Sequence, residues 1–93
     1  MKKHINLEIY GRVQGVGYRY SCLEAANKNG IKGFVRNRSD GSVYIESEGN
    51  EKQLVNFIRW CYEGPVWAKV TDIKESSGEI RNFDSFKIER TGY

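Results

Sequence analysis

A chain of 93 residues can enclose one hydrophobic core, so a single domain over 1–93 is expected. Hydrophobic residues make up 39%, aromatics 13% and charged residues 29%, a globular balance that excludes a disordered or membrane-embedded chain. The net charge of +3 suits an anionic ligand or nucleic acid, but equally ordinary solubility, and does not choose between them.

The opening MKKHINLEIY is basic, but Asn6 and Glu8 interrupt any signal-peptide apolar stretch and no small-residue cleavage site follows, so a cytoplasmic protein is expected. Ile5, Leu7 and Ile9 alternate with Asn6, Glu8 and Tyr10, the period of a strand with one buried face. GRVQGVGYRY, residues 11–20, then places three glycines, two arginines and a glutamine between that strand and a helical pattern. Tyr18, Cys22, Ala25, Ala26 and Asn29 share one helical face, and Gly30 is placed to end the helix. GFVRNRSDGSVYIES, residues 33–47, predicts a hairpin turned by Ser39-Asp40-Gly41, with Phe34 and Val35 in one strand and Val43, Tyr44 and Ile45 in the other. Asn37 falls at its first shoulder.

Asn50 and Gln53 resemble a capping box, and Leu54, Phe57, Ile58 and Cys61 keep a helical period until Gly64-Pro65. Ala68, Val70 and Ile73 predict a further strand, whose shift from spacing two to spacing three indicates a bulge. Residues 77–86 read as a polar loop before Phe86 and Ile88 mark a short last strand. Strand, helix, strand, strand, helix, strand is the α+β order (βαββαβ) of a ferredoxin-like sandwich, with two helices on one face of an antiparallel sheet of four to five strands. A right-handed crossover makes the first two strands parallel, with room for another between them. The glycine loop and the hairpin shoulder then share one sheet edge, which makes Arg19 and Asn37 neighbours.

That juxtaposition suggests chemistry. Gly15 and Gly17 can take positive φ and turn their N–H groups inward as an anion nest, which the N-terminus of the following helix extends. Arg19 can hold two phosphate oxygens with its planar fork. Gln14, Gly15, Val16, Gly17, Tyr18 and Arg19 are therefore the candidate phosphate-binding residues, with no metal. A P-loop does not fit, because Val16 and Gly17 stand where its Gly and Lys belong. The dinucleotide fingerprint fails at Tyr20.

Other residues receive structural roles. Cys22 and Cys61, 39 positions apart, lack metal or redox spacing and are expected to be buried, reduced thiols. His4 is the only histidine and is expected at a frayed N-terminus. Arg36 should point away from Asn37, Arg12 should stabilise the loop, Gln14 should brace it and Tyr18 should lie beneath it. Trp60, Trp67 and Tyr62 are expected in the core or between helices.

GRVQGVGYR followed by GFVRNRSDGSV resembles the signature pair of the acylphosphatase family. Gly49, Phe57, Gly64-Pro65, Ala68, Val70, Phe86 and Ile88 extend the likeness over nearly the whole chain. The resemblance implies hydrolysis of acyl phosphates to a carboxylate and inorganic phosphate, with Arg19 binding the phosphoryl group and Asn37 orienting the water. Asn29 stands where the family usually has Leu, a departure expected to loosen the helix end. The overall expectation is a cytoplasmic monomeric hydrolase of small acyl phosphates, without cofactor, metal, nucleic acid or membrane partner. Ending at Tyr93 with no linker, the chain is expected to be free-standing rather than part of a larger maturation enzyme. An RNA-binding module is the alternative, because Lys32-Gly33-Phe34-Val35 loosely echoes one of its signature segments.

Overall fold

The two faces of the sheet follow from alternation along its strands. In the computed structural model, which describes residues 1–90, the elements run β1 (Lys3–Arg12), α1 (Tyr18–Lys28), β2 (Lys32–Asn37), β3 (Val43–Gly49), α2 (Glu51–Glu63), β4 (Lys69–Ser77) and β5 (Phe86–Ile88). Leu7 and Ile9 of β1 pair with Ile45 and Val43 of β3, which in turn face Val35 and Asn37 of β2. Leu7, Ile9, Val35, Val43 and Ile45 form one buried layer beneath Cys22, Ala25 and Ala26 of α1 and Leu54, Phe57 and Cys61 of α2. The sheet order is β4-β1-β3-β2-β5. β1 and β2 are both antiparallel to β3, as the crossover requires, and β5 adds a fifth strand parallel to β2. This is the ferredoxin-like sandwich, with a mixed rather than wholly antiparallel sheet because β5 returns in the direction of β2.

The helix ends are closed by local bonds. Asn50 Oδ1 accepts from the Gln53 N–H while Gln53 Oε1 accepts from the Asn50 N–H, so the capping box forms at α2. At α1, Gly30 and Ile31 donate to the carbonyls of Asn27 and Ala26 and close its C-terminus. Asn29 does not loosen this end: its Nδ2 donates to the Ala25 carbonyl at 2.8 Å, a bond that Leu could not make. Between β1 and β4, Gly11 pairs with Val70 and Tyr10 with Asp72, which leaves Thr71 as the extra residue of the bulge. Gly11 has φ 123°, and a Cβ there would lie 2.1 Å from the Lys69 carbonyl oxygen, so only glycine fits beside the bulge.

Two aromatic residues expected inside are outside. Trp67 is 76% exposed and Tyr62 51% exposed. The buried stripe of α2 passes through Leu54, Phe57 and Cys61, which turns Tyr62 outward, while Trp67 sits in the short connection after Pro65. Trp60 is partly buried against Tyr18, with ring centroids 5.3 Å apart. Cys22 and Cys61 are both buried free thiols, and burial pushes the Cys22 pKa well up.

The face away from the helices is not bare. Residues 78–85 cross it from β4 at one edge to β5 at the other, held by a carboxylate: Glu48 Oε2 accepts the Arg81 N–H at 2.5 Å and Oε1 the Phe83 N–H at 3.1 Å. His4 is not frayed, as the sequence suggested. It is 4% exposed within β1, with Nδ1 2.7 Å from Glu48 Oε2 and Nε2 2.8 Å from Asn6 Oδ1. Phe83 stacks on His4 and meets the edge of Phe34. The polar loop read from the sequence is therefore an ordered strap.

Glu48 is 1% exposed, and burial alone would raise its pKa. The N–H groups of Arg81 and Phe83, together with His4, outweigh that effect and hold the carboxyl below its ordinary value. Its stabilisation is thus complete above the unfolded carboxyl pKa, near about 4.3, and is lost as pH falls through the lower folded value. Glu48→Gln should cost about 3 kcal/mol at pH 7, the low end for removing one partner from a buried charged network. Urea unfolding in steps from pH 7 to pH 3 should show the wild type losing its advantage over this variant.

Candidate active site

The turn from β1 into α1 is built by two left-handed residues. Gly15 has φ 74° and Gly17 φ 80°, and a Cβ at either position would meet nothing within 4 Å. These glycines are thus demanded by backbone conformation and not by crowding. Gly17 is the N-cap of α1, so no side chain caps that end, and its first turn carries no acidic residue. Its free N–H groups and positive dipole end are left for an anion.

Beside this turn lies a pocket of about 270 Å³ lined by Val13, Gly15, Gly17, Tyr18, Arg19, Tyr20, Asn37, Ile88 and Arg90. Arg19 from α1 and Asn37 from the end of β2 meet in it, as the topology implied. No carboxylate lines it, and Arg19 forms no ion pair among the described residues. Asn37 lines this pocket, and its Oδ1 atom is buried and accepts no hydrogen bond among the described residues.

Tyr18 fixes the floor of the loop. Its ring is buried and its hydroxyl donates to the Cys61 carbonyl at 2.7 Å, linking the first turn of α1 to the last turn of α2. Burial, with the neighbouring Cys61 and Cys22 thiols, pushes its pKa far up, so the phenol stays a donor. Gln14 braces the loop by another route: Nε2 donates to the carbonyls of Arg38 at 2.7 Å and Ser42 at 2.9 Å. Those carbonyls belong to the hairpin connection that follows Asn37. The turn itself is tightened by Asp40, which accepts from the Ser42 hydroxyl and N–H, bonds that lower its pKa.

Gly15, Gly17, Tyr18, Arg19 and Asn37, all expected at the site, line the pocket. Gln14 and Val16 do not, because the Gln14 amide turns to the hairpin and Val16 packs against the core. Arg36 lies on the opposite face, over the Tyr44 ring at 5.2 Å and 3.7 Å from Glu89. Arg12 is exposed and outside the pocket. Val13, Tyr20, Ile88 and Arg90 were missed. Val13 continues the spacing of two from Ile5 to Ile9, but Ile88 and Arg90 arrive through a parallel pairing of β5 with β2 that no local pattern signals.

The fold is a ferredoxin-like sandwich with an uncapped glycine turn where its first strand meets its first helix. The acylphosphatase family model matches residues 5–88. An acylphosphatase of Actinobacillus succinogenes is 42% identical over 85 residues, 88% of this chain and 92% of that one. The crystal structure of acylphosphatase from Bacillus subtilis superposes with a TM-score of 0.91 at 37% identity, covering 96% of this chain and 99% of that one. Full-length HypF, in its phosphate- and nucleotide-bound form, is similar over 99% of this chain but only 13% of its own, at 34% identity and a TM-score of 0.90. The chain belongs to the acylphosphatase family, and is a hydrolase of acyl phosphates.

Gln14→Ala should disconnect the loop from the hairpin that carries Asn37. Both carbonyls keep a backbone donor, from Gly41 and Arg38, so stability should fall by only about 1 kcal/mol. Inhibition by inorganic phosphate should weaken. Thermal unfolding and a phosphate inhibition series on the same variant measure the two effects.

Proposed function

We propose that residues 1–93 act as one domain in which the loop from Gln14 to Arg19 holds the phosphoryl group and Asn37 positions the attacking water. The observation that carries this reading is the buried, unbonded Asn37 Oδ1 in one pocket with Arg19 and the two left-handed glycines. Backbone N–H groups contribute from Gly15 to Arg19, while Gln14 acts through its brace on the hairpin.

Water enters between Asn37 and phosphorus. Its oxygen bonds to phosphorus as the P–O bond to the acyl group breaks, releasing a carboxylate and inorganic phosphate. A carboxylate of pKa about 4 leaves without a general acid at neutral pH. Asn37 cannot take a proton near neutrality, but its Oδ1 can accept a hydrogen bond from the water and set the line of attack. The proton passes to a phosphate oxygen of the substrate. Arg19 and the loop N–H groups stabilise the charge of the transferring group, the part of phosphoryl transfer that a protein can assist most. Arg19 supplies fixed positive charge where many phosphohydrolases use a divalent cation, so the reaction proceeds without metal or cofactor.

We further propose a cytoplasmic monomer that binds neither nucleic acid nor membrane. Two buried free thiols suit a reducing compartment. The RNA alternative gains nothing from the open sheet face, where Tyr44 is already covered by Arg36 and Arg38 and flanked by Glu46. The strap occupies much of the rest.

Arg19→Ala should weaken substrate binding and turnover together, and should weaken inhibition by phosphate. Asn37→Ala should lower turnover by about two orders of magnitude or more while phosphate affinity stays close to that of the parent. Benzoyl phosphate kinetics with a phosphate inhibition series separate the two, and circular dichroism checks the fold. Normal turnover in Asn37→Ala with normal phosphate binding in Arg19→Ala would remove both assignments. Activity should survive EDTA; loss restored by a divalent ion would contradict the mechanism.

A further inference from the structure

In-line displacement places the attacking water and the leaving oxygen on opposite sides of phosphorus. With the water on the buried Asn37 Oδ1, the acyl group leaves on the opposite side, toward the exposed part of the lining. The exposed lining residues there are Gly15, Gly17, Tyr20 and Arg90, so only Tyr20 and Arg90 present side chains to it. Tyr20 is 64% exposed, an aromatic surface beside the acyl chain. Arg90 follows β5, whose Val35–Ile88 pairing with β2 brings it to the level of Asn37. Among the described residues no acid lines the pocket beside Arg90, and the neighbouring Glu89 pairs instead with Arg36 at 3.7 Å.

We propose that Arg90 is a specificity-determining residue that favours acyl phosphates whose acyl group carries a second negative charge, the monophosphorylated dicarboxylic acids. The distal carboxylate meets the Arg90 guanidinium, while Tyr20 covers the carbon chain between the two anionic ends. This inference rests on the placement of the water at Asn37. Because the contact is at an exposed mouth, it is modest and salt-sensitive.

The test compares kcat/KM for succinyl phosphate with that for butyryl phosphate, which has the same number of acyl carbons but no distal charge. Arg90→Gln should lower the succinyl-to-butyryl ratio by about twofold to fivefold, the range of an exposed charge pair. Arg90→Glu should lower it further, Arg90→Lys should restore most of it, and raised salt should shrink the difference between wild type and Arg90→Gln. A ratio unmoved in both Arg90→Gln and Arg90→Glu overturns the inference. So does an equal loss with both substrates together with weaker phosphate inhibition, which would put Arg90 on the phosphoryl group. The assignment of the water fails separately, through normal butyryl phosphate turnover in Asn37→Ala.

Discussion

The chain must turn from a strand into a helix within five residues, and it does so by placing Gly15 and Gly17 in the left-handed region. That backbone constraint governs the rest of the site. It leaves the first turn of α1 without a side-chain cap, points Tyr18 into the core and brings Arg19 into the lining of the same pocket. A helix that began with Ser or Asp would satisfy its own N–H groups and have less to offer an anion. The turn thus leaves the first-turn N–H groups of α1 without a side-chain acceptor, beside one arginine.

The loop is held rigid from two sides. Beneath it, the Tyr18 hydroxyl reaches the last turn of α2; beside it, Gln14 ties it to the connection that follows Asn37. All three bonds end on main-chain carbonyls, so they depend on where the backbone runs more than on which side chains their partners carry. Arg19 and Asn37 come from elements far apart in sequence, and β3 lies between β1 and β2. Their meeting in one pocket is therefore a property of the whole sheet.

Most of the architecture was legible because its signals are local. Alternation at Ile5, Leu7 and Ile9, the capping box at Asn50 and Gln53, and the glycine after α1 each state a conformation within a few residues. Handedness of the crossover then carried Arg19 to Asn37. What escaped depends on long-range partners. Glu48 looks like any charged strand residue until the strap lays two N–H groups and His4 against it. The second half of β4 has no apolar alternation, because it is an edge strand formed by pairing with β1, and its residues from Lys74 to Ser77 are exposed. Arg90 reaches the pocket only through the parallel seat of β5.

The bulge at Thr71 also bears on how copies of this chain meet one another. β4 is an edge strand of nine residues with an unpaired outer side, the kind of surface on which a second sheet could extend itself. Its ladder is interrupted by the extra residue, and Lys69, Asp72, Lys74 and Glu75 place charges along it. A neighbouring strand would have to match an irregular spacing while burying those charges. The same bulge that pairs with Gly11 beside the glycine turn thus guards the sheet against edge-to-edge aggregation.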